Sequence, residues 1–127
     1  MEAKESSMRH KEDNLQMMCV RWFSLQYPKC APLLHHSPNG GKRNLKEAAR
    51  FKAMGVRAGF PDLALYIASG GYHALFIELK SDTGRQTAIQ KDMEQLLKAQ
   101  GYKYVVVRSV DEFINEIETY LCSRKFS

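Results

Sequence analysis

Three residues able to support chemistry, Asp62, Glu78 and Lys80, lie in and beside two apolar runs of the sequence. Glu78 and Lys80 are two residues apart, so in a strand both side chains project from the same face. If the two runs pair as a hairpin, Asp62 comes close to Glu78, and burying two like charges together is unfavourable without a cation. The pattern predicts a hard divalent metal with Lys80 beside it. The alternative is a surface Glu–Lys pair and a turn aspartate.

The elements that must position these residues follow from periodicity and turn signals. The apolar runs 63–68 and 74–79 flank Gly70-Gly71, which is typical of a hairpin. We expect a further strand at 104–107 and a loop or short strand at 33–36. Helical spacing or capping signals predict helices from Glu12 to Pro28, from Asn44 to Met54, from Thr87 to Gln100, and from Ser109 onwards. The sequence therefore predicts an α/β domain with a mixed central sheet flanked by helices. The strand before helix 87–100 and the strand after it should be parallel.

The bulk properties favour a single domain. At 127 residues the chain can bury a core, and we expect a flexible N-terminus (1–10), a domain over 11–122 and a basic tail (123–127). Nineteen Lys and Arg against 14 Asp and Glu give a net charge of +5, which is compatible with a polyanionic partner.

Cysteine usage and hydropathy suggest where the protein works. Cys19, Cys30 and Cys122 are odd in number and form no C-x-x-C pair, which argues against a disulfide framework or a zinc site. No apolar run approaches the length of a membrane span, and residues 1–13 lack a signal-peptide core. We expect an intracellular, cytoplasmic protein without a membrane partner, of bacterial or phage type.

Positive charge is concentrated just before Asp62. Six cations lie within sixteen residues, and glycines next to Asn39 can expose backbone N–H groups to a phosphate. A solvated helix face explains each cation singly, whereas the cluster as a whole predicts contact with a phosphate backbone. The cations are Lys42, Arg43, Lys46, Arg50, Lys52 and Arg57.

A family resemblance rests on these same segments. Gly-Val-Arg-Ala-Gly-Phe-Pro-Asp (55–62), Phe-Ile-Glu-Leu-Lys (76–80), Pro-Asn-Gly (38–40) and Gln90 together resemble the virus-type replication-repair nuclease (VRR-NUC) domain. That family belongs to the restriction-endonuclease-like nucleases with a P-D…(D/E)-x-K motif, and the similarity runs from about Glu12 to Leu121. It implies that Glu12 supplies a third acid to the metal site and that Gln90 lies near the metal. Gln90 also fits a capping box with Thr87, which would point its side chain elsewhere.

The resemblance implies a Mg²⁺- or Mn²⁺-dependent, structure-selective DNA endonuclease. Asp62, Glu78, Glu12 and the Leu79 carbonyl would hold the metal, and Lys80 and Gln90 would assist catalysis. The expected DNA contacts are Asn39, Lys42, Arg43, Lys46, Arg50 and Arg57.

The expected assembly follows from the same resemblance. Free-standing members resemble Holliday-junction resolvases, so the expectation is a homodimer acting on branched DNA. The alternatives are a non-catalytic DNA-binding module, a monomeric flap or single-strand nuclease, and a metal-dependent phosphatase.

Overall fold

The structure, a computed structural model, describes residues 2–38 and 45–122, and the side chains from residue 10 onwards within them. In these ranges the elements are α1 (Glu2–Gln26), a 3₁₀ turn (Ala31–Leu33), β1 (Leu34–His36), α2 (Leu45–Ala53), β2 (Leu63–Leu65), β3 (Leu75–Leu79), α3 (Ala88–Ala99), β4 (Lys103–Val107) and α4 (Val110–Cys122). The predicted α/β class is confirmed.

Helix α1 begins at Glu2, ten residues before the predicted start at Glu12, so residues 2–10 are helical rather than irregular. Apolar periodicity reveals only the part of a helix that packs on a core. The first residues are mostly good helix formers and therefore extend the helix without such a pattern. The predicted domain limits at 11 and 122 remain predictions, and the tail 123–127 lies outside the described residues.

The sheet has the order β1-β2-β3-β4, with β1, β2 and β3 antiparallel in turn and β3 parallel to β4. The predicted hairpin is confirmed. Gly70 and Gly71 have φ of +60° and +86°, and Ser69 and Tyr72 exchange backbone hydrogen bonds of 3.1 and 2.9 Å across them. Two consecutive positive φ values characterise the tight turns that match strand twist.

The two faces of the sheet are covered by different helices. Odd-numbered strand residues pack with α1 and α4 in the main core, which contains Cys19, Phe23, Leu63, Leu65, Leu75, Ile77, Leu79, Val107, Phe113 and Ile117. Even-numbered residues form a smaller cluster, in which Ala64, Phe76 and Tyr104 pack with Leu97 of α3. Asp62, Glu78 and Lys80 share this even parity, so strand alternation assigns them to the α3 face.

Capping signals locate the helix ends well. Gly55 has a φ of +106°, and the Val56 N–H donates to the Phe51 carbonyl at 2.9 Å, which is the bonding of a glycine-terminated helix. At α4 the Ser109 Oγ accepts from the Glu112 N–H at 3.1 Å. The Glu112 carboxylate accepts a hydrogen bond from the Arg108 N–H, which lies one residue earlier than the donor in a standard capping box. No helix in the described ranges is long and apolar enough to span a membrane.

Candidate active site

The hairpin brings Asp62 and Glu78 together, as their spacing predicts. Leu63 pairs with Ile77 in the antiparallel register, so the next pair outward from the turn is Asp62 and Glu78. Lys80 extends from the same face, and its N–H is anchored to the Val107 carbonyl of β4 at 3.0 Å. Two carboxylates and an ammonium therefore share one end of the sheet.

Asp62 is held by the backbone of β3. Its Oδ2 accepts from the Leu79 N–H at 2.7 Å. The pKa of Asp62 is raised above its ordinary value, mainly by burial. The hydrogen bond from Leu79 lowers the pKa, and the charges of Glu12 and Glu78 raise it. The charge of Lys80 lowers it again. The upward direction is what a half-buried carboxylate close to two other acids should have.

Glu78 is the most enclosed of the acids, at 0% exposure. Its Oε1 accepts from the Tyr104 hydroxyl at 2.5 Å. Its Oε2 is buried and has no hydrogen-bond partner among the described residues. Buried polar atoms are nearly always satisfied, so an orphaned carboxylate oxygen calls for an explanation such as an ion or a water molecule.

Lys80 and Gln90 contact each other, and this contact reconciles the two positions expected for Gln90. The Lys80 Nζ donates to Gln90 Oε1 at 2.8 Å. The same oxygen accepts from the Thr87 N–H at 2.9 Å, and Thr87 Oγ1 accepts from the Gln90 N–H at 3.2 Å. Gln90 therefore completes the capping box of α3 and fixes the ammonium with one side chain, because its carbonyl oxygen has two lone pairs.

Glu12 reaches the site from α1. Its Oε1 accepts from the Ser81 N–H at 3.3 Å, and its charge acts on Asp62. Glu12 therefore contacts the loop after Lys80, and its role as a third metal-binding acid stays a prediction. In the described part of the chain, however, no three acidic, histidine or cysteine side chains are already arranged around one metal position.

The structure describes only some of the residues that we predict to contact DNA. Lys46, Arg50 and Arg57 lie in the described ranges and are exposed. Exposure leaves these cations accessible to a phosphate backbone. Asn39, Lys42 and Arg43 lie outside the described residues.

Sequence reasoning missed two residues next to the site. Tyr104 bonds Glu78, and Arg108 Nη1 donates to the carbonyls of Ser81 and Gly84, each at 2.7 Å, which fixes the loop after Lys80. Both follow the parallel crossover, so only the register between β3 and β4 places them beside Glu78 and Lys80. The phenol of Tyr104, directly before the run of valines in β4, was the available signal.

The donor set suits a hard divalent cation. Carboxylate and carbonyl oxygens are the ligands that Mg²⁺ and Mn²⁺ prefer, and Mg²⁺ is commonly held by one or two carboxylates with water and substrate phosphate completing its shell. The unpartnered Glu78 Oε2 and the neighbouring Asp62 meet that requirement without a third preset ligand.

Comparisons with known proteins identify a family for this chain. The chain matches the model of the VRR-NUC domain over residues 3–111. A solved structure described as a VRR_NUC domain protein is similar, with 38% sequence identity, coverage of 89% of each chain and a TM-score of 0.78. The search of curated proteins gave no match. The family match spans well over half of the sequence, and the chain therefore belongs to the VRR-NUC domain family.

Proposed function

We propose that this VRR-NUC protein is a divalent-metal-dependent endonuclease that hydrolyses phosphodiester bonds in DNA. The observation that carries the proposal is the fully buried Glu78, whose Oε2 has no partner among the described residues, beside Asp62 and Lys80. A protein that only binds DNA does not require a buried glutamate beside a buried lysine on one strand face. The family name indicates a nuclease.

Mg²⁺ or Mn²⁺ would be held by Asp62, by Oε2 of Glu78 and by the Leu79 carbonyl, with Glu12 close by. When bound, such an ion lowers the pKa of a water molecule and neutralises charge on the scissile phosphate. Asp62 is already fixed by the Leu79 N–H and Glu78 by Tyr104. The carboxylates are therefore held in place before substrate arrives.

Lys80 is the protein's own source of positive charge beside the two carboxylates. Its side chain is only 8% exposed, and Gln90 holds the ammonium at 2.8 Å. A preorganised cation in a poorly hydrated site stabilises charge that develops on the phosphate oxygens. Lys80 thus orients the attacking water or stabilises the transition state, and Gln90 fixes its direction.

The exposed cations before Asp62 would hold the phosphate backbone. Lys46, Arg50 and Arg57 are exposed, and with Asn39, Lys42 and Arg43 they precede Asp62 and Glu78 in the chain. Contacts of this type bind DNA without reading its sequence. Recognition should therefore depend on the shape of the DNA.

We further propose that the preferred substrate is branched DNA and that the protein acts as a homodimer like a Holliday-junction resolvase. One chain carries one set of P-D…E-x-K residues, so two symmetric cuts require two copies. C₂ symmetry is the commonest way to relate them.

The test is cleavage by Asp62→Ala, Glu78→Ala and Lys80→Ala variants. We expect each to lose nearly all activity, by about 10²–10³-fold or more, and to similar extents because groups that act as a unit are not additive. DNA binding should persist, since the phosphate contacts lie elsewhere. Each variant is incubated with branched, flapped, single-stranded and duplex DNA in Mg²⁺, Mn²⁺ or EDTA.

Glu118→Ala, an exposed acid on α4, is the matched control and should cleave normally. Robust cleavage by Glu78→Ala in Mg²⁺ would overturn the proposed site. Binding without cleavage by the wild-type protein in every metal would instead favour a DNA-binding module.

A further inference from the structure

The hydroxyl of Tyr104 forms a hydrogen bond with an acid of the proposed site. It donates to Glu78 Oε1 at 2.5 Å. Both residues are buried, at 6% and 0% exposure, and they lie on the paired strands β4 and β3. A hydrogen bond to a carboxylate in such surroundings is strong, because little water competes for either group.

This bond divides the roles of the two oxygens of Glu78. Oε1 is occupied by Tyr104, whereas Oε2 has no partner among the described residues. The bond also restricts rotation of the terminal carboxylate, whose last torsion otherwise has broad minima. One oxygen is therefore held inside the protein and the other is left available.

The ring of Tyr104 is itself held by packing. It is buried in a cluster with Ala64 and Phe76 of the neighbouring strands, and Leu97 of α3 packs against that cluster. This packing fixes the ring that carries the hydroxyl.

We propose that Tyr104 is a positioning residue of the metal site, which holds Glu78 so that Oε2 alone is presented to the cation. The inference rests on the proposed function and deepens it. Partners that orient a metal-binding side chain typically contribute 10- to 100-fold to metal affinity or activity. Tyr104 fits this class because it contacts Glu78 and belongs to no part of the sequence motif.

The test is cation binding by the full chain without DNA. Wild type and Tyr104→Phe are titrated with Ca²⁺ and Mn²⁺ by calorimetry. We expect Tyr104→Phe to bind about 10- to 100-fold more weakly, while its ring keeps the packing against Phe76 and Ala64. Cleavage at low Mg²⁺ should fall in parallel and recover as Mg²⁺ approaches saturation.

The control is Tyr102→Phe, which removes a hydroxyl from a ring that packs in the same cluster and contacts Phe76 rather than Glu78. It should leave cation affinity unchanged. In a Glu78→Ala background, Tyr104→Phe should add no further loss, since the residue that it positions is absent.

Thermal unfolding without metal separates positioning from a purely structural role. Equal cation affinity in wild type and a folded Tyr104→Phe overturns the inference, even if the variant melts at a lower temperature, and leaves the proposed function intact. Weaker binding that persists in the Glu78→Ala background also overturns it. A wild-type chain that neither binds a cation nor cleaves DNA refutes the proposed function instead.

Discussion

The side chain of Glu78 combines two properties that a stable core avoids, complete burial and an oxygen without a partner among the described residues. An unsatisfied buried polar group costs about 1–3 kcal/mol, and more when it is charged. Asp62 lies beside it and experiences the charges of both Glu78 and Glu12. Such a site should lower the stability of the metal-free fold, and the cation that we propose to bind there would offset this loss.

Asp62 should make the stability of the metal-free protein depend on pH. Its pKa in the folded protein is raised above the ordinary value of 3.8, first by burial and then by the neighbouring acids. The folded state therefore binds the proton more tightly than the unfolded state. The resulting stabilisation is fully present below the unfolded pKa and is lost as pH rises through the folded pKa.

We predict that in EDTA at pH 7 the variant Asp62→Asn melts at a higher temperature than wild type. An asparagine oxygen can still accept from the Leu79 N–H, while the repulsion from Glu12 and Glu78 is removed. The difference should narrow as pH falls toward 4, and thermal unfolding across pH 4–8 measures it. Asp92→Asn, at an exposed position of α3, is the control. A less stable Asp62→Asn protein at pH 7 would contradict the argument.

Single residues also show how far the sequence predicts the site. The motif identified Asp62, Glu78 and Lys80 as neighbours because a hairpin has a fixed period and a glycine turn sets its register. It left two conflicting positions for Gln90, since only coordinates show that one oxygen accepts from both Thr87 and Lys80. Tyr104 could not be assigned, because the register of a parallel pair is set by packing of the whole crossover.

Among the elements, the loop before Asp62 packs closely against the first turn of α3 at Gly59. This residue has a φ of +91°, and a Cβ there would lie 2.5 Å from Ile89 Cγ2 and 3.0 Å from the Ile89 carbonyl oxygen. Ile89 directly precedes Gln90. The close approach therefore places the residue that holds Lys80 next to the loop that leads to Asp62.

We predict that Gly59→Ala reduces cleavage strongly and destabilises the fold. The left-handed backbone alone costs about 1–2 kcal/mol, and the contact with the Ile89 backbone forces α3 away. Gly71→Ala separates these effects, since its φ is +86° and nothing lies within 4 Å of the added Cβ. Denaturant unfolding should show the cost of the left-handed backbone in both variants and a further loss of stability in Gly59→Ala. Cleavage should be lost only in Gly59→Ala. Equal activity in the two would indicate that the contact is unimportant for the site.

The predictability of the elements varied for physical reasons. Turn glycines and capping boxes located the hairpin and the start of α3, because these signals act over a few residues. The start of α1 was missed, since a helix can continue without an apolar face. The strand β2 is limited to Leu63–Leu65 although the apolar run continues to Ala68. The length of a strand depends on the hydrogen-bond partners in the neighbouring strands, which apolar residues alone do not reveal.

At the scale of the whole molecule, the structure narrows the surfaces on which two copies could meet. Two aromatics of helix α1 are unsuitable for such a contact: Phe23 is fully buried, and Trp22 packs edge-on against Phe113 in the core. Helix α1 instead exposes Met17, Met18 and Leu25. Near the hairpin turn, Tyr66 and Tyr72 are 52% and 41% exposed, whereas Phe76 is buried.

We predict that the protein is a homodimer in solution and cuts four-way junctions in preference to linear duplex. Light scattering should give twice the mass of one chain. Either Leu25→Glu on α1 or Tyr66→Glu by the hairpin should dissociate it, because a charge buried in an apolar contact is strongly unfavourable. Both positions are exposed in the single chain, so neither substitution should unfold it.

The paired cuts test whether assembly and chemistry are coupled. A fixed junction labelled on two opposing strands should be cut symmetrically by the dimer. The dissociating variant should no longer make paired cuts but should still hydrolyse one strand at a time. Affinity should fall steeply with salt, by about 0.9 log units per log unit of salt for each phosphate neutralised on B-form DNA. A monomer at micromolar concentration that cleaves only flaps or single strands would exclude the resolvase assignment. In that outcome each chain would act alone at one strand, and the exposed cations that precede Asp62 would select a single DNA backbone rather than a junction.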